Sequence, residues 1–368
     1  MIYFNDFGQE GEEFLHQQLR SADRVLRSGR YVLGNEVKSF EELWADYLGV
    51  KFCVGVGNGM DALEIGLRGL GIGDGDEVIT TPMTAFATVL SIIRAGAVPV
   101  LADIDPETAM ISAESAERCI SPRTRAVMLV HLYGQAGPLG AILDLCNQRN
   151  IHLIEDCAQA HGAEFNGAKV GSLGAFSGWS FYPTKNLGAI GDGGALVTNS
   201  SMLAEKAKVL RNYGQSVRYE HTELGLNSRL DEIQAAILAE RFTKLGGWTA
   251  RRREIAHAYT KDISNPGVKL MPLPENPNSH VHHLFVVTCK NRKRFQTYMN
   301  EHEVQTLIHY PVPIHLQEPC KNIARDPNLL VVAETHAADC LSLPCHPNLK
   351  NEEVSRVIEL VNSFVCRP

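Results

Sequence analysis

What the chain lacks narrows its reading first. It has 368 residues and nine cysteines, but no CxxC pair. That reads as reduced thiols rather than a disulfide frame and argues against a cysteine zinc site. Cys146, Cys157 and Cys289 fall in or beside apolar runs, as reduced, buried thiols do. No run approaches the ~20 apolar residues needed to span a bilayer. The first residues, "MIYFNDFGQEGEEFL", are acidic and too polar for a signal peptide. The expected location is the cytoplasm. There is no excess of positive charge: 35 Lys and Arg stand against 42 Asp and Glu, for a formal net charge of −7. Bulk attraction to nucleic acid or an anionic membrane is excluded, so no partner of either kind is expected. An anionic ligand would need a local trap, such as helix N-termini. Internal repeats and low-complexity segments are also missing.

What is present is core-forming. Hydrophobic residues make up 44% of the chain, and the length suits a large domain with a smaller appendage. From Lys51 to about Leu210, short apolar strands ("KFCVGVGN", "DEVITTP", "VPVLADID", "TRAVMLVHLYG", "IHLIEDCAQA", "GALVTN") alternate with helical segments. Such alternation predicts an α/β fold with a mostly parallel sheet covered on both faces. Ligands of such sheets bind at the carboxyl ends of the strands. After Arg229 the texture becomes that of a small α+β domain. A long helix there is expected to bend or break at Gly246–Gly247, and "VQTLIHY" reads as a strand. Residues 1–245 are assigned to the large domain with its N-terminal segment, and 246–368 to the small C-terminal one.

The segment "SFYPTKNLGAIGDGGA" places one lysine, Lys185, among aromatic, apolar and glycine residues. Desolvation lowers a lysine pKa, and a neutral amine condenses with an aldehyde. Pyridoxal 5'-phosphate (PLP) needs such a lysine and an acid for its pyridine nitrogen. Asp156, at the polar end of "IEDCAQAHGA", could be that acid, although a lone aspartate there is ordinarily a turn cap. "GVGNGMDAL" offers a strand, a glycine-rich turn and a helix start at Gly59 and Met60, which could hold a phosphate. It lacks the GxGxxG spacing of a dinucleotide site. Ser180 could add a hydroxyl. Phe86 could stack on the ring, although a single phenylalanine is more often core. No metal site is expected.

These features together resemble the DegT/DnrJ/EryC1/StrS family of PLP-dependent nucleotide-sugar aminotransferases. The resemblance spans nearly the whole chain and is carried, in order, by "SGRYVLGNEVKSFE", "GVGNGMDAL", "IEDCAQAHGA", "SFYPTKNLGAIGDGGA", "LGLNSRLDEIQAA" and "HYPVPIHLQ". It implies the type I (aspartate aminotransferase-like) PLP-dependent transferase fold, and a homodimer with active sites at the subunit interface. It further implies that Lys185 forms the Schiff base and shuttles the proton. Asp156 pairs with the pyridinium nitrogen and Gln159 contacts the ring hydroxyl. Gly59 and Met60 offer amides to the phosphate beside Ser180, and Asn227 reaches the neighbouring subunit's cofactor. Tyr182, His309 and Tyr310 match positions near the sugar. His161 is expected to support the cofactor loop, and His315 carries no assigned role. Met60 departs from the threonine or serine common after "NG", and resembles members that aminate C3.

The implied reaction is ping-pong. An amino acid, glutamate by family habit, leaves its amine on the cofactor as pyridoxamine 5'-phosphate (PMP). A nucleotide-linked keto sugar then takes the amine, with C3 of a dTDP-keto-6-deoxyhexose the leading expectation. The same chemistry at C4 or on a cyclitol ketone, a PLP-dependent sugar dehydratase, and a non-catalytic regulator on this scaffold are the alternatives. Dehydratase relatives carry histidine at the lysine position, where this chain has Lys185.

Overall fold

The computed structural model describes residues 1–365. Seven strands form the body of the large sheet: β1 (Phe52–Val56), β2 (Glu77–Thr80), β3 (Val98–Leu101), β4 (Thr124–Val130), β5 (His152–Asp156), β6 (Phe176–Ser180) and β7 (Gly194–Thr198). A short eighth strand, β8 (Ala324–Arg325), joins one edge, giving the order β1-β7-β6-β5-β4-β2-β3-β8. The run from β6 to β8 is parallel. Only β7 runs against its neighbours, β1 and β6. "GALVTN" is therefore a strand as expected, but it is the antiparallel one.

Alternation along the strands divides the core. Val127, Leu129 and Leu153 enter one cluster, with Phe40, Trp44 and Trp179 from the first layer of helices and β6. Ala126, Met128 and Ile154 enter the opposite one, against Ile65 and Leu67 of the helix Gly59–Gly69. Burial on both faces explains why these strands read as unbroken apolar runs. β6 was hidden in the sequence because "FSGWS" is small and polar at alternate positions, yet Ser177 and Gly178 are buried.

A three-stranded antiparallel sheet (Lys269–Leu270, Phe285–Thr288, Cys340–Leu343) carries the C-terminal core with helices Arg292–Glu301 and Asn351–Ser363. Two segments cross between the cores: Ile2 packs in the C-terminal cluster and β8 edges the large sheet. The long helix does break, but at Thr243–Lys244, before the glycine pair. Thr243 and Lys244 close on the carbonyls of Glu240 and Arg241, three residues back, which tightens and ends the first helix. Gly246 and Gly247 lie in the first turn of the next helix, facing open space. "VQTLIHY" forms no strand, because its pairing is divided. Val304 bridges Ile2 and Leu307 bridges Ser342. Among the described residues eight cysteines are buried, Cys366 lying outside them. No described helix is long and apolar enough to cross a membrane.

Glu155 fixes the loop that leads into β6. Its carboxylate is fully buried and accepts from the backbone N–H of Gly171 (2.7 Å), Leu173 (2.9 Å) and Gly174 (2.8 Å). His131 Nδ1 accepts from Gly137 N–H, so its Nε2–H donates to Glu155 at 3.1 Å. Burial alone would raise this carboxyl; His131 and the amides outweigh it and hold the pKa below 4.5. Its stabilisation is therefore complete above that value and fades as pH falls through the lower folded pKa. Glu155→Gln should cost about 3 kcal/mol at neutral pH. In urea titrations the gap between wild type and variant should close toward acid; a gap independent of pH would remove the charge from the account.

Candidate active site

The carboxyl ends of β5 and β6 and the start of helix Gly59–Gly69 converge. Consecutive strand residues point to opposite faces, so Glu155 goes into the scaffold and Asp156 toward the cleft. Asp156 Oδ2 accepts from Thr88 Oγ1 at 2.7 Å and Oδ1 from Ala158 N–H at 3.1 Å. Thr84 and Thr88 hydroxyls are 2.7 Å apart, so Thr84 donates to Thr88 while Thr88 donates to Asp156. Burial raises the Asp156 pKa against these donors and against Lys185. Burial draws the Lys185 ammonium down from 10.5 to about 8, with Asp156 opposing. The two groups thus share one desolvated pocket, although Lys185 as a residue is only half-buried.

Gly59 opens its helix against the end of β6. A Cβ there would lie 2.8 Å from Ser180 Cβ. One at Gly194 would meet the Asn58 backbone, so only glycine lets β7 pass. Asn58 caps the helix through Asp61 N–H at 2.9 Å. The N–H groups of Gly59 and Met60, at N1 and N2, are left without an intrahelical partner. The preceding turn is held by Ser228 Oγ, which accepts from Gly57 N–H at 2.9 Å.

Gln159 Oε1 accepts from Tyr133 N–H (2.7 Å), and its Nε2 donates to the Tyr310 hydroxyl (3.1 Å). Burial and then Asp156 push the Tyr310 phenol up to about 12. His309 shares a 2.8 Å hydrogen bond with Ser342 through Nδ1; burial and then Lys185 bring it down to about 4, so it is neutral. His161 is fully buried among Trp44, Trp179 and Phe181, lowered to about 3, first by burial and then by Lys185. His315 lies elsewhere, against Glu334 at 2.9 Å. Phe86, Tyr182 and Asn227 are on the surface of this single chain; Asn227 forms a backbone bridge to Asn212. Thr88, Ser228 and His283 were missed by sequence reading. His283 Nδ1 lies 3.2 Å from Asn186 Oδ1, next to the lysine, and its partners come from distant segments.

A desolvated lysine facing a strand-end carboxylate, beside a helix start with free N–H groups, fits a phosphorylated aldehyde cofactor. A family model for DegT/DnrJ/EryC1/StrS aminotransferases matches residues 13–362. The chain belongs to this family. It is a PLP-dependent aminotransferase of type I fold. It is 46% identical over 364 residues, 99% of both chains, to the dTDP-3-amino-3,6-dideoxy-alpha-D-galactopyranose transaminase of Aneurinibacillus thermoaerophilus. It superposes on S. venezuelae DesV, solved in complex with a ketimine intermediate, at TM-score 0.95 and 40% identity, covering 100% of this chain and 99% of that one. NtdA from Bacillus subtilis with bound cofactor PMP matches at TM-score 0.88 and 30% identity, covering 95% and 82%.

In cofactor-free aminotransferase, reductive methylation of Lys185 by formaldehyde should be half-maximal near pH 8 rather than 10.5. Asp156 raises the lysine pKa, so Asp156→Asn should move that midpoint lower. Peptide mapping across a pH series checks both; a wild-type midpoint near 10.5 would mean the amine is not desolvated.

Proposed function

We propose that this aminotransferase moves an amino group from an amino acid, glutamate by family habit, to C3 of a dTDP-linked keto-6-deoxyhexose. The observation that carries the chemistry is the Lys185 amine, desolvated beside Asp156 at the strand ends. The full-length likeness to a dTDP-3-amino sugar transaminase supports the substrate and the carbon.

PLP, when bound, supplies the electron sink, and the chain supplies binding, orientation and proton transfer. Neutral Lys185 Nζ takes the α-proton of the donor and returns it on the cofactor side; in the second half it runs the same transfer in reverse. Asp156, which accepts from Thr88 and Ala158, would stand at the ring nitrogen and favour its protonated form. Gly59 and Met60 N–H groups with Ser180 hold the phosphate, Gln159 meets the ring hydroxyl, and Phe86 covers a face. Tyr182, His309 and Tyr310 face the sugar, His309 as a neutral hydrogen-bonding group. Asn227, exposed in the single chain, acts across a homodimer at the partner's phosphate.

Lys185→Ala should slow turnover at least ~10²–10⁴-fold, the usual share of a placed general base. Protein loaded with PMP and offered a panel of keto substrates should aminate dTDP-3-keto-6-deoxyhexose. NMR of the product places the amine; nitrogen at C4, or a preference for a cyclitol ketone, would replace this assignment, and loss of a hydroxyl without nitrogen transfer would mark a dehydratase.

A further inference from the structure

Five buried hydroxyls lie between Thr80 and Ser91. Three serve backbone groups. Thr80 Oγ1 donates to the Met128 carbonyl (3.0 Å), Ser91 Oγ donates to the Thr88 carbonyl (2.7 Å), and Thr81 Oγ1 accepts from Met83 N–H (3.1 Å). The other two, Thr84 and Thr88, bond side chain to side chain and end on Asp156, each link 2.7 Å long. A hydroxyl has one proton. Thr88 gives its own to Asp156, so the proton between the two threonines comes from Thr84. Hydrogen bonds in such a chain polarise one another. Thr88 occupies the first turn of the helix Phe86–Arg94, and Thr84, just before that helix, folds back over the turn. One helix start thus carries both the proposed ring cover, Phe86, and the donor to the acid.

Asp156 depends on this chain more than Glu155 depends on any one donor. Glu155 takes three amides and a histidine. Asp156 takes one hydroxyl and one amide, on different oxygens. The χ2 torsion of an aspartate is soft, so these two bonds set the carboxylate plane. Each oxygen keeps a lone pair for an incoming N–H. Burial raises the Asp156 pKa, and of the groups that oppose burial Thr88 comes first, ahead of Ala158, Lys185 and His131. Tyr310 and Cys157 also lie in its field; burial first, and the neighbouring carboxylates after it, push both of their pKa values up.

We propose that Thr88, oriented by Thr84, is a positioning residue for the reaction: it fixes the plane of Asp156 and favours its charged form, so that a lone pair is presented to the ring nitrogen of the cofactor. This rests on placing Asp156 at that nitrogen.

The test compares full-length wild type, Thr88→Val and Thr88→Ser. Valine keeps the shape and removes the hydroxyl; serine keeps the hydroxyl and removes the methyl. In cofactor-free protein, carbon-13 NMR of labelled aspartate carboxyls, assigned with Asp156→Asn, should place the Asp156 midpoint at higher pH in Thr88→Val and near wild type in Thr88→Ser. The direction follows from the bond: Thr88 donates to the charged form, so its loss favours the proton. Titrations followed by cofactor absorbance should show PLP bound ~10-fold more weakly by Thr88→Val, as for a lost hydrogen bond to a charged group, with serine restoring most of it. Both half-reactions of the loaded enzyme should slow together, since the ring nitrogen serves both. Thr84→Val should move each readout the same way and by less. If Thr88→Val does not fold, Thr84→Val carries the test, and an unmoved midpoint there overturns the proposal. An unmoved Asp156 midpoint in folded Thr88→Val overturns it as well. So does harm from serine with none from valine, the pattern of a residue that only packs. A moved midpoint with unchanged PLP binding, in Asp156→Asn as in Thr88→Val, would instead overturn the placement of Asp156 at the ring nitrogen and leave the hold of Thr88 on the carboxylate standing.

Discussion

Two carboxylates at neighbouring positions of one strand end, sent to opposite faces by the pleat, are the constraint on which the rest depends. Glu155 and Asp156 are both buried, and each is met by a different set of donors. Glu155 is surrounded by amide donors and one histidine, and its charge shapes the loop that enters β6. Asp156 has one hydroxyl, one amide and the field of an amine. The first is satisfied by the scaffold; the second is left with capacity for a ligand. A one-residue slip in β5 would exchange their surroundings and remove both loop and site.

The histidines extend the same logic. His161, His283 and His309 all lie within the field of Lys185, and all have pKa values lowered by burial and by that amine. A ring of neutral imidazoles adds polarity without adding charge. The charged partner of Lys185 is then Asp156, whose field favours the protonated amine against the desolvation that lowers it.

Much of this was legible in the sequence. The strand and helix alternation, the lysine in its glycine-rich setting, the strand-end aspartate and the free helix start at Gly59 are local patterns, and local physics reads them. What stayed hidden depends on distant partners. Thr88 looks like any helix residue until it is seen against Asp156, 68 positions away. Ser228 is ordinary until it meets Gly57, 171 positions away. Arg252 lies in a run of three arginines, "RRR", and its full burial could not be told from its half-buried neighbours. β6 was missed because its apolar count is low, although a central position in a covered sheet buries even serine and glycine. The break at Thr243–Lys244 was displaced because glycine permits a bend without requiring one.

The exchange of Ile2 and Ala324–Arg325 between the two cores has a mechanical result. A chain that connected its halves once could swing them apart about a hinge. Here a strand from the C-terminal half is stitched to the large sheet, while the first residues are anchored in the C-terminal core. Rotation of one half would have to peel a strand or pull out the leading segment. The two crossings resist such a rotation at separate places along the seam.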